Sequence, residues 1–519
     1  MSKKKKITSL YILIAFAIYC SLVVGLAWDE QNAFESGKIT IDYLFTLGRV
    51  DKYIAYREYY STIYWSFLYL VSEIFPSKYQ NEIGHLINLS FSLSAIFATG
   101  RLATVLFNKE VGKLTFLVLF LFPIFFGHMA VNNKDTILAF CHVWIIYLVL
   151  RYFQKQQIKE KSKKYIILIS LLVATATGIQ LLFLGSLVPL FIFIIIEIFF
   201  LKKFITKEFS IKIFYIDLIK CISIFYLILI IFWIDSHSNI LISPINIMQE
   251  WLGPNFATGW PWSLVNGNIY LSTKVDPLYL IINFIFKSPE YFLLSYVVFM
   301  VSIFKMKNFY YKNVNFFNYK IAFVISILIF PNIMLYLVNL PLYDGMRLFL
   351  WVVPYYCIIP ALTIYYLIKN LNLIKVKIAF LILSLFFVFH LVNFVTISPY
   401  QYTYLNLLNG SAEDRYKKFE NDYWGISIKE LVNNVDFKTN DIVKISTCGL
   451  SDNNLKKLLK QKKNLNYQIV PYEESEYIIM TNRVLFHEGT KTCFDEFLGN
   501  EIVSVKRNGL VLSTIRKMN

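Results

Sequence analysis

The stretch KKKKITSLYILIAFAIYCSLVVGLAWDE, residues 3–30, decides how the rest of the chain is read. Four lysines, Lys3 to Lys6, precede an apolar run from about Ile7 to Ala27, and Trp28-Asp29-Glu30 follows at once. Lysines before a span hold that end in the cytoplasm. Asp29 and Glu30 therefore emerge on the far side, against the bilayer surface. Ionised carboxylates beside hydrocarbon are costly and mark function. Paired acids there suit general-base work or cation binding, with the start of a solvated loop as the plain alternative. The run is too long for a signal peptide, and Ala27-Trp28-Asp29 is a poor cleavage site, so the segment reads as a retained anchor.

Composition agrees. The chain has 519 residues, 57% hydrophobic and 18% aromatic. That is an α-helical polytopic membrane protein. The net charge of +17 is unevenly placed. Residues 398–519 carry 17 Lys/Arg against 15 Asp/Glu, whereas residues 1–397 carry 34 against 19. The excess lies in short loops, where it orients spans and meets anionic membrane lipids. No basic module with interleaved aromatics lies outside the membrane part, so nucleic acid is excluded as a partner.

Alternating apolar runs and basic loops predict about eleven spans, with the N-terminus inside and the C-terminus outside, in a bacterial plasma membrane. Two long outer segments are expected, 28–80 and 235–287. The first carries Tyr53, Tyr56, Arg57, Tyr59, Tyr60, Tyr64 and Trp65, and its Tyr64–Phe75 part suits a helix lying in the interface. The second carries Trp251, Pro254, Gly259, Trp260, Pro261 and Trp262, and span nine is expected to exit near Asn339. Residues 1–397 form the membrane domain and 398–519 a small extracytoplasmic α/β domain. Within the latter, strands are expected at Asp441–Ser446, Tyr477–Met480, Glu501–Val505 and Leu510–Ile515, the last two joined by the tight turn Asn508-Gly509. Helices are expected at Ile426–Val435 and Leu455–Lys462. Cys448 and Cys493 can pair if this domain is outside.

Four polar clusters fall on the outer side. The first is Asp29-Glu30. The second is His128-Met129-Ala130-Val131-Asn132-Asn133-Lys134-Asp135, more polar than a turn requires, although caps and an interface lysine would also explain it. The third is Tyr343-Asp344-Gly345-Met346-Arg347, where Arg347 can hold a phosphate bidentately or simply pair with Asp344. The fourth joins Pro399-Tyr400-Gln401-Tyr402 to Asn421-Asp422-Tyr423-Trp424-Gly425. Aromatics with carboxylates suit sugar contact, and equally an interface belt. No Gly-rich phosphate loop is present, so a soluble nucleotide donor is not indicated.

At these residues the chain resembles glycosyltransferase family 39, the protein O-mannosyltransferase-like branch of the C-type superfamily, with Asp29-Glu30 in the place of its Asp-Glu motif. A bacterial subgroup is more similar still. Its segments read here as Phe125-Phe126-Gly127-His128, Asn132-Asn133-Lys134-Asp135, Tyr343-Asp344-Gly345-Met346-Arg347-Leu348, and Pro399-Tyr400-Gln401-Tyr402 with Asp422-Tyr423-Trp424-Gly425. Asn133 stands for the usual Pro and Leu348 for the usual His, and Gly178-Ile179-Gln180 lacks the Arg often found in the fifth span.

The resemblance implies a C-type glycosyltransferase fold and an inverting transfer from a polyprenyl-phosphate-sugar donor to an extracytoplasmic glycan, lipid or protein acceptor. Asp29 would be the base and Glu30 its assistant. Arg347, Lys134 and His128 would neutralise the donor phosphate. Asn132, Asp135, Tyr343, Asp344, Tyr400, Tyr402, Asp422 and Trp424 would contact the sugar or acceptor. A divalent cation is compatible with this set, but no ligand signature specifies one. The competing functions are a transporter or flippase for lipid or lipid-linked sugar, and a non-catalytic envelope assembly protein. Against the transporter, mid-span charges are few, Glu197 being one.

Overall fold

The computed structural model describes residues 3–49, 60–251, 259–305, 307–338, 340–437, 442–462 and 465–518. Tyr53, Tyr56, Arg57, Tyr59, Pro254 and Asn339 lie outside the described residues. The chain is mostly helical, with a small sheet domain at its C-terminal end.

Among the described residues, six helices are long and apolar enough to cross a membrane. A seventh is added if the bent pair Tyr279–Lys287 and Glu290–Phe304 counts as one span. Shorter apolar helices lie at Leu10–Val23, Ile63–Ser72, Val188–Leu201 and Val353–Lys369. The described helices thus include segments too short to span a bilayer straight, where the sequence reading drew simple crossings.

The first seven helices carry Asp29, Glu30, His85, His128 and Asp135 or border them. They are α1 (Lys3–Val23), α2 (Glu30–Phe45), α3 (Ile63–Ser72), α4 (Gln80–Leu106), α5 (Lys109–Phe120), α6 (Pro123–His128) and α7 (Asp135–Lys155). Within the expected outer segment 28–80 the sequence predicts a helix only at Tyr64–Phe75, but α2 begins one residue after Asp29. Its missing signal is physical: Glu30–Phe45 mixes polar residues with Gly37 and β-branched Ile39, Thr40 and Ile41, and so has a weak apolar stripe. A helix does form where Tyr64–Phe75 is expected to be helical, as α3, Ile63–Ser72.

Asn108 starts α5, its side chain accepting from the backbone N–H groups of Glu110 and Val111, both at 3.0 Å. Helices α4 and α5 then meet through Gly100 and Gly112, where β-carbons would crowd the opposite backbone. Pro123 opens α6, where its missing N–H leaves no bond unmade.

The second long segment carries the hairpin β1 (Trp262–Val265) and β2 (Asn268–Leu271). The C-terminal sheet contains β3 (Val443–Cys448), β4 (Tyr467–Ile469), β5 (Tyr477–Thr481), β6 (Asn500–Arg507) and β7 (Leu510–Lys517) in the order β4-β3-β5-β7-β6. β3 is parallel to β4 and β5, and β7 is antiparallel to β5 and β6. Asn508 and Gly509 both have positive φ, as a tight hairpin turn requires. β4, three residues long, escaped the sequence reading because two-residue alternation is illegible over so few positions. Cys448 and Cys493 form a disulfide.

The sheet domain is pinned to the rest at several points. Trp260 and Trp262 donate their indole N–H groups to the carbonyls of Val484 and Phe486 at 3.1 and 2.9 Å. Lys457 donates to the Asn81 side chain, and Asn454 to the Ala27 carbonyl. The mid-span charge Glu197 is consumed locally: its carboxylate accepts from the Phe204 and Ile205 N–H groups and from the Tyr319 hydroxyl.

Candidate active site

Asn88, in the middle of α4, organises the turn between α6 and α7. Its amide donates to the carbonyls of Met129 at 2.9 Å and Asn132 at 3.0 Å, and its oxygen accepts from the Tyr64 hydroxyl at 2.9 Å. Asn132 finishes the turn. Its side-chain oxygen accepts from the N–H of Lys134 and of Asp135, and its amide donates to the Asp135 carboxylate at 3.0 Å. Lys134 and Asp135 therefore leave a rigid turn at the start of α7, where Asp135 also meets the positive end of the helix.

Lys134 points at Asp29, its Nζ lying 3.6 Å from Oδ2. The Tyr60 and Trp65 rings face the same ammonium at 5.1 and 5.7 Å from their centroids. Asp135 points the other way, to Arg347, with Oδ2 and Nε 3.2 Å apart. Arg347 also meets Asp344, Nη1 to Oδ2 being 3.6 Å. Its guanidinium lies over Trp424 at 4.6 Å and Tyr343 at 5.0 Å. One contiguous chain of charge thus runs Asp29, Lys134, Asp135, Arg347, Asp344. Asp29 is the more open end: its side chain is 15% exposed, against 8% for both Arg347 and Asp135.

Gly127 brings the fourth cluster to the second. A β-carbon there would overlap the backbone of Tyr402, so only glycine permits this contact. Tyr402 donates to Asp422, which also accepts from the N–H groups of Ile426 and Ser427 at 3.0 and 2.8 Å. Asp422 and Tyr402 are thereby committed to holding the 422–427 turn and, with it, Trp424. The Tyr400 hydroxyl is not brought to the charged chain. It donates to Glu430, which Arg507 also holds, at 2.8 and 2.6 Å.

Two expectations change in character. His128, expected to help neutralise a phosphate, is buried between the Tyr402 and Trp424 rings. Burial, reinforced by Arg347 and Lys287, pushes its imidazole down to about 3, so at neutral pH it carries no charge. It can offer an N–H, but not a cation. Glu30 does not stand beside Asp29 as a free twin. It accepts from the Ala27 N–H at 2.6 Å and pairs with His85 of α4 at 2.9 Å. His85 is anchored in turn on the Ser21 carbonyl at 2.9 Å. Glu30 also lines a polar cleft with Gln31, Asn81, Asn88, Asn133 and Lys457.

Three residues near the site were not singled out in the sequence. His85 is 55 positions from Glu30, and no local pattern links them. Lys287 is buried at the end of Tyr279–Lys287, close to Gly345 and over the Phe419 ring at 5.1 Å. Arg483 follows β5 and lies among Trp28, Trp260 and Tyr423. Burial raises the Asp344 carboxyl to about 6 despite Arg347 and Lys287, and raises Glu420 to about 7 despite Arg483. Among the described residues no three His, Cys, Asp or Glu side chains are grouped to hold a metal ion.

The fold is similar to that of ArnT from Cupriavidus metallidurans in the apo state. The TM-score is 0.53 at 10% identity, over 99% of this chain and 98% of that one. The Archaeoglobus fulgidus oligosaccharyltransferase in the apo form gives 0.50 at 9% identity, over 93% of this chain and 70% of that one. ArnT bound to undecaprenyl phosphate gives 0.48 at 11% identity. No protein-family model and no curated protein sequence matches the chain. The first two alignments extend over nearly the whole chain, and the chain accordingly shares the fold of these two proteins.

Proposed function

We propose that the protein is a membrane glycosyltransferase that moves a sugar from a polyprenyl-phosphate-sugar donor to an acceptor hydroxyl, with inversion, on the extracytoplasmic face. One observation carries this reading. The accessible carboxylate of Asp29 and the buried cation Arg347 belong to a single polar chain, joined through the adjacent residues Lys134 and Asp135. A base and a phosphate clamp, each paired to neighbouring residues of one rigid turn, suit in-line displacement at an anomeric carbon.

In this reading the acceptor oxygen attacks the anomeric carbon as Asp29 takes its proton. The bond from that carbon to the phosphate oxygen breaks, and the phosphate leaves on its lipid. Lys134 and Arg347 balance the charge that develops there, and they act in a site largely shielded from water, where each charge counts for more. Asp135 and Asp344 fix the direction of Arg347. His128, neutral, serves as a hydrogen-bond donor. Glu30 holds the entry to α2 through His85 and so sets where Asp29 stands. Membrane lipids surround the spans, and the domain from 398 onward covers the polar end.

The test is transfer in proteoliposomes with a short-chain polyprenyl-phosphate sugar and an envelope extract as acceptor source. Transfer by the natural protein and its loss in Asp29→Asn support the reading. Full transfer by that variant rejects the role of Asp29. Passage of the lipid-linked sugar across the bilayer without any transfer rejects the enzyme in favour of a transporter.

A further inference from the structure

We propose that Arg483 is a second oxyanion-binding position of this pocket, for a phosphate or carboxylate carried by a substrate on the side of the C-terminal domain. Arg483 is 3% exposed. Its guanidinium carbon lies 3.7 Å from the centroid of Trp260, 3.8 Å from Tyr423 and 4.5 Å from Trp28. Rings stack on the faces of a guanidinium, but its N–H groups point outward from its edge. Among the described residues those edges are unserved: Nε and Nη1 are buried without a hydrogen-bond partner. Two carboxyl groups lie within its field, Glu420 and Asp344, yet neither comes within ion-pairing distance. Glu420 is instead engaged by the Val484 N–H at 3.1 Å.

A buried donor with no partner is destabilising, more so when charged, and such groups in native proteins call for an explanation. A purely structural arginine linking the domain to the loops would use its edge as well as its faces. The place of Arg483 supplies the explanation. Trp28 is the residue before Asp29, and Tyr423 carries Arg347 over the same ring at 5.8 Å. Two guanidinium groups thus flank one tyrosine. Arg347 is tied to Asp135, whereas Nε and Nη1 of Arg483 have no partner among the described residues. Naming that anion as part of a substrate rests on the proposed transfer; the binding itself does not.

An oxyanion here has two sources: a charged group on the acceptor, or the second phosphate of a diphosphate-linked donor. The experiment uses the full chain in lipid nanodiscs and reads tryptophan emission, since Trp28 and Trp260 face the guanidinium. Farnesyl phosphate, farnesyl diphosphate and glucose 6-phosphate are titrated at constant ionic strength, with glucose as the neutral control. We expect an anion-dependent response that Arg483→Gln weakens by about tenfold or more. Arg483→Lys, which keeps the charge but loses the planar fork, should fall between the two. A preference for diphosphate over monophosphate that vanishes in Arg483→Gln identifies the donor. A glucose 6-phosphate response that vanishes identifies the acceptor. Equal affinities in natural and variant protein overturn the proposal, and so does a natural protein that responds to no anion. If Arg483→Gln does not fold, the Arg483→Lys and natural-protein arms still decide. No arm needs turnover, so a protein that binds anions without transferring sugar would refute the transferase and leave this site standing.

Discussion

The Lys134 ammonium stands 3.6 Å from the Asp29 carboxylate, within ion-pairing range but beyond a close hydrogen bond. The pair is therefore loose enough to open. In the proposed function an acceptor hydroxyl would take the place of the ammonium at the carboxylate, and the ammonium would then face the departing phosphate. Replacing Asp29 by Asn keeps the shape and removes the base. We expect transfer to fall about 10²–10⁴-fold. Thermal unfolding should also shift downward, because Lys134, 11% exposed, loses the carboxylate that faces it in a mostly buried setting. Initial rates and melting curves of the two proteins, measured side by side, check this.

Arg347 behaves differently because it is buried. Asp135→Ala leaves it short of its closest carboxylate, and breaking a buried pair costs about 3–5 kcal/mol. We expect Asp135→Ala to lower the melting temperature clearly, and Arg347→Lys to lower transfer with less effect on melting. A neutral effect of Asp135→Ala on stability would mean that Asp344 alone satisfies the guanidinium.

The pH response follows from two buried acids. Asp344 moves from 3.8 to about 6 and Glu420 from 4.5 to about 7, in both cases through burial. Both folded values lie above the unfolded ones, so folding takes up protons between them. The stability they contribute therefore rises as pH falls from about 7 toward about 4, and is lost as pH rises through about 6 to 7. Asp344→Asn combined with Glu420→Gln should flatten that part of the profile. Melting temperatures taken across the range for both proteins test it.

The four clusters were legible because polar residues at the ends of apolar runs stand out against a strong background. The structure joins all four, through Asp29 to Lys134, Asp135 to Arg347, and Arg347 to Trp424. What the sequence could not express is orientation. Asp422 and Tyr402 look like sugar-binding residues by type, yet their polar atoms are spent on a turn. His128 looks like a cation by type and is neutral by burial. Arg483 is a lone arginine in a mixed-charge tail, with no spacing to mark it, and only the packing of Trp28 and Trp260 around it shows where it goes.

The disulfide makes the C-terminal domain separable from the spans in experiment. Cys448 and Cys493, 45 positions apart, enclose β4 and β5. In the chain-entropy account, closing a loop of that length contributes about 4 kcal/mol. Cys448→Ser with Cys493→Ser should destabilise the sheet domain while the helices stay inserted. Limited proteolysis followed by mass spectrometry should show new cleavage confined to the part after residue 398.

Gly127 links the stability of the site to its chemistry. The residue sits in α6, one position before His128, and its missing side chain lets the backbone around Tyr402 approach. Gly127→Ala would force the 399–403 segment away. Tyr402 would then release Asp422, and Trp424 would lose its place over Arg347. Overpacking of this kind costs about 1–3 kcal/mol, so the protein should still fold, with a lowered melting temperature. Transfer should drop more than the remaining folded fraction explains, because the Arg347 platform shifts while Asp29 stays in place. Gly185→Ala, at a position with open space around the site of a β-carbon, is the matched control and should leave both properties unchanged. If Gly127→Ala and Gly185→Ala behave alike, the close approach of α6 to Tyr402 does not position the arginine.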